Sequence, residues 1–298
     1  MTRPPITDAQ LDLLEQRLAA AGVGRREFLK VAAGLAGMGA AGFNARSASA
    51  APKLAPGEKL AREQHFRFGG GSYYQQDPAS HDFNKDLYCS GVPALWAGLM
   101  KCNVNFEPVP YIAEKVASNK DGSVWTFTIR KDSKWSDGGP CTARDFEYSW
   151  KRQLDPASAA PYASFLYDIK NGEAFNKKQV TDRDQVGVRA RDDWTLEVTL
   201  EGPRGYFPVL AAYLAALPGH RASIEKYGDK WTEAANIVSN GPFVLETWEH
   251  NKVMVLRKNK HFFGAKDITL DKVTIPIIPV ASGALPWENN EIDLTLLQ

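Results

Sequence analysis

Little in this chain provides for metal, redox or nucleophilic chemistry. Cysteine occurs only three times, as Cys89, Cys102 and Cys141. No two of these make the C-x-x-C spacing of a zinc or dithiol site. The five histidines, His65, His81, His220, His250 and His261, are scattered, and none falls in an H-E-x-x-H or H-x-H frame. A G-x-S-x-G nucleophile elbow is absent. So is any apolar run of the roughly 20 residues that a membrane-spanning helix needs. Neither sign of charge is in excess: 36 Lys and Arg against 35 Asp and Glu leave a formal charge of +1. That balance offers no basic surface to nucleic acid or to an anionic membrane. No internal repeat is found. These absences set aside most enzyme and nucleic-acid classes, while 298 residues at 44% hydrophobic are ample for a sizeable core.

The first fifty residues read as an address. Arg25-Arg26 is followed by Phe28-Leu29 and a Gly/Ala-rich run from Val31 to Phe43. Ala48-Ser49-Ala50 then supplies an A-x-A cleavage site. Twin arginine, short apolar run and small-residue site, in that order, are the parts of a Tat export signal. The expectation is recognition by the Tat machinery at Arg25 and Arg26, cleavage after Ala50, and a periplasmic or other extracytoplasmic mature protein. In such an oxidising compartment a Cys89–Cys102 disulfide is one reading; three small buried residues is the other.

The most informative stretch runs from Val124 to Leu166. Val124 to Ile129 alternates strictly, with Trp125, Phe127 and Ile129 on one side, so a half-buried strand is predicted. Ser136-Asp137-Gly138-Gly139-Pro140 is a turn. Thr142 is placed to cap a helix, with Asp145 three residues on and Phe146 and Trp150 sharing one face. Asp155-Pro156 ends it. Asp132, Asp137 and Asp145 each have a turn or capping task, so paired-carboxylate catalysis is not assigned to them.

Elsewhere, His65 to Phe68 is a short strand, and Gly69-Gly70-Gly71-Ser72 lacks both phosphate-loop frames, so it reads as a tight strand exit. The spacing predicts a helix over Leu87 to Met100, a Pro-punctuated connection over Phe106 to Val116 and a surface loop over Asn171 to Gln185. It predicts a strand over Trp194 to Leu200 and a helix over Tyr206 to Leu217. Phe243 to Trp248 and Val253 to Arg257 read as an antiparallel pair, and Val273 to Ile278 as a strand that Pro276 marks for an edge or a bulge. Strands and helices come irregularly, so the class is α+β or mixed α/β. The eight tryptophans are read first as core.

The ungapped run from Trp125 to Asp145 resembles the corresponding block of the periplasmic oligopeptide-binding proteins, the family 5 solute receptors of peptide-importing ABC transporters. Ala222 to Trp248 and Glu291-Ile292-Asp293-Leu294-Thr295 carry the same resemblance. It implies the first lobe of a two-lobed, type II, cluster C periplasmic-binding-protein fold, in which the lobes close over the ligand about a hinge. A hinge-bearing domain would comprise residues 51–97 and 219–298, and an accessory domain 98–218. The family extends further, so the second lobe and its amine-pairing carboxylate are expected to be missing from this chain. The resemblance also implies an extended oligopeptide ligand held through its main chain, inner-membrane ABC permease subunits as partners, a monomer, and no cofactor, metal or catalytic residue.

By position in that family, the loop after Asp77-Pro78 implicates Asp82, Phe83 and Asn84 as ligand contacts. Gln76 stands where the family has leucine, and about two extra residues precede Leu99. Tyr162, in Pro161-Tyr162-Ala163-Ser164, corresponds to a cleft tyrosine; a core aromatic with a satisfied hydroxyl is the alternative. Other readings stay open: a lone lobe that binds nothing small or only docks to a partner, or a ligand that is a nickel chelate, haem, sugar or opine.

Overall fold

The computed structural model describes residues 43–44, 59–69, 77–86, 92–103, 105–278 and 284–295. Arg25, Arg26, Ala48, Ala50 and Cys89 lie outside the described residues. In chain order the elements begin with β1 (Phe43–Asn44), β2 (His65–Gly69), α1 (Val92–Leu95), β3 (Met100–Cys102), β4 (Pro108–Pro110), β5 (Ala113–Ser118) and β6 (Val124–Ile129). Then come α2 (Ala143–Leu154), α3 (Gly172–Asn176), β7 (Val188–Ala190), β8 (Thr195–Thr199), α4 (Phe207–Ala211) and α5 (Arg221–Tyr227). The last are β9 (Phe243–Glu249), β10 (Val253–Lys258), β11 (Lys272–Pro276), α6 (Ala284–Glu288) and β12 (Leu294–Thr295).

Strict alternation in β6 and β8 builds the first sheet, antiparallel throughout, in the order β1-β5-β6-β8-β7. Trp125 opposes Val198 and Phe127 opposes Leu196, so one face presents a continuous apolar layer. α2 covers that layer. Its start is the predicted one: the Thr142 backbone N–H donates to the Asp145 carboxylate at 2.7 Å and the Thr142 hydroxyl at 3.0 Å. Phe146 and Trp150 are fully buried, and the Trp150 indole donates to the Ala216 carbonyl at 2.8 Å. The helix stops at Leu154, ahead of Asp155-Pro156.

The second sheet has the order β12-β2-β11-β10-β9; β2 runs parallel to both β11 and β12, and the other pairs are antiparallel. β3 and β4 form a separate ribbon. One apolar core runs on from the first sheet through Trp96, Trp135 and Trp231 to Trp248 and Ile275. The mixed α/β class is therefore the observed one.

Several expectations need correction. The helix expected to reach Met100 ends at Leu95. The Leu95 carbonyl accepts from Gly241, and the Ala97 amide and carbonyl pair with the Asn240 side chain at 2.9 Å each. Leu95, Trp96 and Leu99 are buried all the same. The connection over Phe106 to Val116 contains β4 and the start of β5. Bonds from Tyr111 to Leu99 and from Asn103 to Glu107 put the hydrogen-bonded pairs at 107 and 111. Pro108 and Pro110 thus fall at the alternate positions, where no N–H is needed.

The loop over Asn171 to Gln185 holds α3, anchored by buried Phe175, and a 3₁₀ turn at Arg183–Gln185. Tyr206 to Leu217 is broken into α4 and a 3₁₀ turn at Leu214–Ala216. β11 is internal, not an edge; Pro276 is its last residue, past Thr274 where the ladder to β2 ends. The leader was expected to stand wholly outside the fold, yet Phe43 and Asn44 pair with Val116 and Lys115 along the outer side of β5, a row of groups that readily takes another strand.

The reading of three buried cysteines does not hold in full. Cys141 is buried, whereas Cys102 is exposed, and both are free thiols; Cys89, the other half of the bridge reading, lies outside the described residues. Burial, with Asp145 nearby, pushes the Cys141 thiol well above the ordinary range; burial also raises Cys102. In the native protein a maleimide is expected to modify Cys102, slowly and faster with rising pH, and to reach Cys141 only after unfolding. Peptide mass mapping checks this, and equal native labelling of the two would refute it.

Candidate functional site

The loop from Asp77 to Asp86 carries most of the predicted contacts, and it is held by side chains from three other segments. Ser80 Oγ lies 3.1 Å from Thr232 Oγ1, which also accepts from the His81 backbone N–H at 3.3 Å. Asp77 accepts from the Trp248 indole at 2.8 Å, and its other oxygen lies 2.6 Å from His250 Nδ1. Lys85 pairs with Asp229.

Asp82 is the centre of this arrangement. Its carboxylate is 1% exposed and accepts from both terminal guanidinium nitrogens of Arg152, in the last turn of α2, Nη2 at 2.6 Å and Nη1 at 3.1 Å. The Trp231 indole donates to it at 3.0 Å, and the Asn84 backbone N–H at 2.9 Å. Burial by itself would push the Asp82 carboxyl up. The hydrogen bonds and charge of Arg152, with Trp231 and Asn84, outweigh that and leave it below the usual carboxylate range.

Phe83 is sealed in the core, edge-on to Trp96 and Trp231 with ring centroids 5.6 and 6.4 Å away. Asn84 is buried, and among the described residues neither its Oδ1 nor its Nδ2 has a hydrogen-bond partner. The three residues thus lie together but differ: Asp82 is internally saturated, Phe83 is packed, and Asn84 keeps an unused amide. Tyr162 belongs to another group. It is half-buried ahead of the 3₁₀ turn Ala163–Leu166, 6.0 Å from Phe165, which stacks on Tyr213 at 4.4 Å.

Arg152 and Trp231 were not singled out from the sequence. Arg152 stands next to Lys151 in a last helical turn, where a cation is ordinarily a solvated partner of the helix dipole. Its target lies 70 residues away. Two open surface depressions, about 410 and 330 Å³, are lined mainly by polar and charged residues, among them the pairs Arg191–Glu197 in the first and Lys151–Glu147 in the second. Neither includes Asp82, Phe83, Asn84 or Tyr162.

One arrangement has the look of a catalytic set: Ser223 Oγ lies 2.8 Å from His220 Nδ1, and Asp137 3.9 Å from His220 Nε2. Ser223 and His220 together cap α5, so this arrangement already has a structural task. Among the described residues no group of three or more His, Cys, Asp or Glu is placed to hold a metal, and no helix is long and apolar enough to cross a membrane.

Residues 107–297 match the family described as bacterial extracellular solute-binding proteins, family 5 Middle. The periplasmic oligopeptide-binding protein OppA of Salmonella typhimurium is 39% identical over 263 residues, 84% of this chain and 46% of that protein. OppA of Escherichia coli K12 is 41% identical over 210 residues, 67% of this chain and 37% of its own length. The substrate-binding domain of an oligopeptide ABC transporter from Bacillus anthracis superposes with a TM-score of 0.76 at 36% identity, covering 80% of this chain and 46% of that one. The chain thus spans less than half the length of these relatives. With a family match over residues 107–297 and the same fold in a solved relative, this chain belongs to family 5 of the bacterial extracellular solute-binding proteins.

Proposed function

We propose that the chain is the first-lobe portion of an extracytoplasmic receptor that binds extended oligopeptides and delivers them to an inner-membrane ABC permease. The observation that carries this reading is 39% identity over 263 residues to a periplasmic oligopeptide-binding protein. Tat export, with cleavage after Ala50, would bring it to the periplasm. In this reading the chain binds and releases its ligand without covalent chemistry, takes no metal, cofactor or nucleic acid, and works as a monomer.

Residues 98–218 would form the accessory domain, with residues 51–97 and 219–298 forming the hinge-bearing one. In support, β5 to β8 all fall within the first range, and the strands of the second sheet all fall within the second. Extended peptides offer the same main-chain donors and acceptors whatever their sequence. The amide of Asn84, buried and without a partner among the described residues, would meet such groups once the loop opens to a ligand, and Tyr162 with Phe165 suits an apolar side chain. Asp82 and Phe83 are the supports that hold this loop in place.

A second reading, a lobe that only docks to a partner protein, draws on the saturation of Asp82 and the sealing of Phe83. Calorimetric titration of the purified full chain with unrelated tri- to pentapeptides separates the two. Saturable one-to-one binding is expected, weakened several-fold by Asn84→Ala. Absence of binding by every peptide would leave the docking reading in its place.

A further inference from the structure

His250 is held in a way that only one of its protonation states satisfies. Its Nδ1 lies 2.6 Å from Asp77 Oδ2, and its Nε2 lies 3.2 Å from Glu233 Oε2. A neutral imidazole has one N–H, whereas an imidazolium has two. With both carboxylates ionised, both contacts are therefore hydrogen bonds only when His250 is protonated. Once it is neutral, one nitrogen lone pair faces a carboxylate. One metal ion cannot take the place of this arrangement, because the two nitrogens of one ring point to different acids.

The three residues come from three separate segments. Asp77 opens the loop that carries Asp82 to Asn84; Glu233 follows Trp231 and Thr232, which hold that loop from the other side; His250 follows β9. The neighbourhood is otherwise simple. The Trp248 indole packs against His250 at 4.4 Å and against His81 at 4.5 Å, and donates to Asp77. On the turn beyond, Glu249 and Lys252 pair with each other. Among the described residues Asp77 and Glu233 are thus the charges that face His250, with His81 as a second titratable ring on the same indole.

We propose that His250 is a proton-operated latch that fastens the Asp77–Asp86 loop to Glu233 and to the β9–β10 hairpin, closed when the imidazole is charged and loosened when it is neutral. The hydrogen bond and charge of Asp77, with Glu233, hold the imidazole above its ordinary range, against a smaller effect of burial. The sign follows. The added fastening is complete below the free-histidine value near 6.5 and is lost as pH rises through the higher folded value. His250 is half-exposed, so solvent screening keeps the effect modest.

The test is an NMR titration of the histidine rings in the full chain, with hydrogen exchange of the loop amides corrected for intrinsic rate. His250 is expected to titrate above 6.5 and to move down in Asp77→Asn and in Glu233→Gln. The Asn84, Lys85 and Asp86 amides should lose about two- to fivefold protection as His250 deprotonates, while those of β6 stay constant. In His250→Gln that pH dependence should vanish. A wild-type His250 titrating at or below 6.5, or loop protection that does not follow its titration, would overturn the proposal. So would an unchanged pH dependence in His250→Gln. If that variant does not fold, the wild-type titration and the two acid variants decide the matter by themselves.

Discussion

Arg152→Ala is expected to lower folding stability by about 3–5 kcal/mol, among the largest effects of any single polar replacement in this chain. The reason lies in what remains behind. Asp82 is 1% exposed, and without Arg152 its carboxylate keeps only the Trp231 indole and the Asn84 N–H as donors. An uncompensated buried charge costs far more than the pair itself contributes. Asp82→Asn in the Arg152→Ala background should therefore recover part of the loss, a non-additivity that a double-mutant cycle measures.

The pH profile carries a second signature. Because the Asp82 carboxyl is held low in the folded chain, its contribution is fully present above the ordinary carboxylate range, and it is lost as pH falls through the depressed folded value. Arg152→Ala should flatten that acid limb. Urea unfolding followed by tryptophan fluorescence and by circular dichroism gives both quantities. A loss below about 1 kcal/mol would mean that the pair behaves as an exposed one.

Gly241→Ala is the second large expectation, at about 3 kcal/mol. A methyl group on Gly241 would sit 2.4 Å from the Leu95 carbonyl carbon and 2.6 Å from both the Leu95 oxygen and the Trp96 nitrogen. These are backbone atoms, and they cannot move aside cheaply. Gly241 donates to Leu95, Asn259 donates to the Gly241 carbonyl at 2.9 Å, and Asn240 grips both backbone groups of Ala97. Gly122 provides the contrast. Its φ is +73° and nothing lies nearer than 3.9 Å, so alanine there costs only the left-handed backbone, about 1–2 kcal/mol. Chemical denaturation of both variants should rank them in that order, and the reverse order would show that the junction relaxes freely.

The same junction explains where the sequence could and could not be read. Val124 to Ile129 and Trp194 to Leu200 were legible because a strand with one buried face writes its burial into every second residue. The cap of α2 was legible because Thr142 and Asp145 lie within one turn of each other. Leu87 to Met100 was misread because Leu95, Trp96 and Leu99 have helical spacing, while the side chain that takes over their backbone, Asn240, lies 143 residues from Ala97.

The candidate loop divides in the same way. Resemblance located Asp82, Phe83 and Asn84, but nothing local distinguishes a carboxylate facing solvent from one saturated by an arginine 70 residues on. In the sequence His250 is one of five scattered histidines. Its two acids, Asp77 and Glu233, stand 173 and 17 residues away and fit no spacing rule.

β2 is bracketed by β11 and β12, and this arrangement imposes an order in time. The ladders joining β5 to β8 need nothing outside residues 113–199, so they can form as soon as that stretch has left the ribosome. β2, made much earlier, finds its neighbours among the described residues only in Lys272–Thr274 and Leu294–Thr295, more than two hundred residues later. Closing so long a loop is slow and comes late. During synthesis the strand His65–Gly69 therefore waits unpaired while the first sheet is already assembled, and that interval is when the growing chain is most exposed to mispairing and most in need of a chaperone.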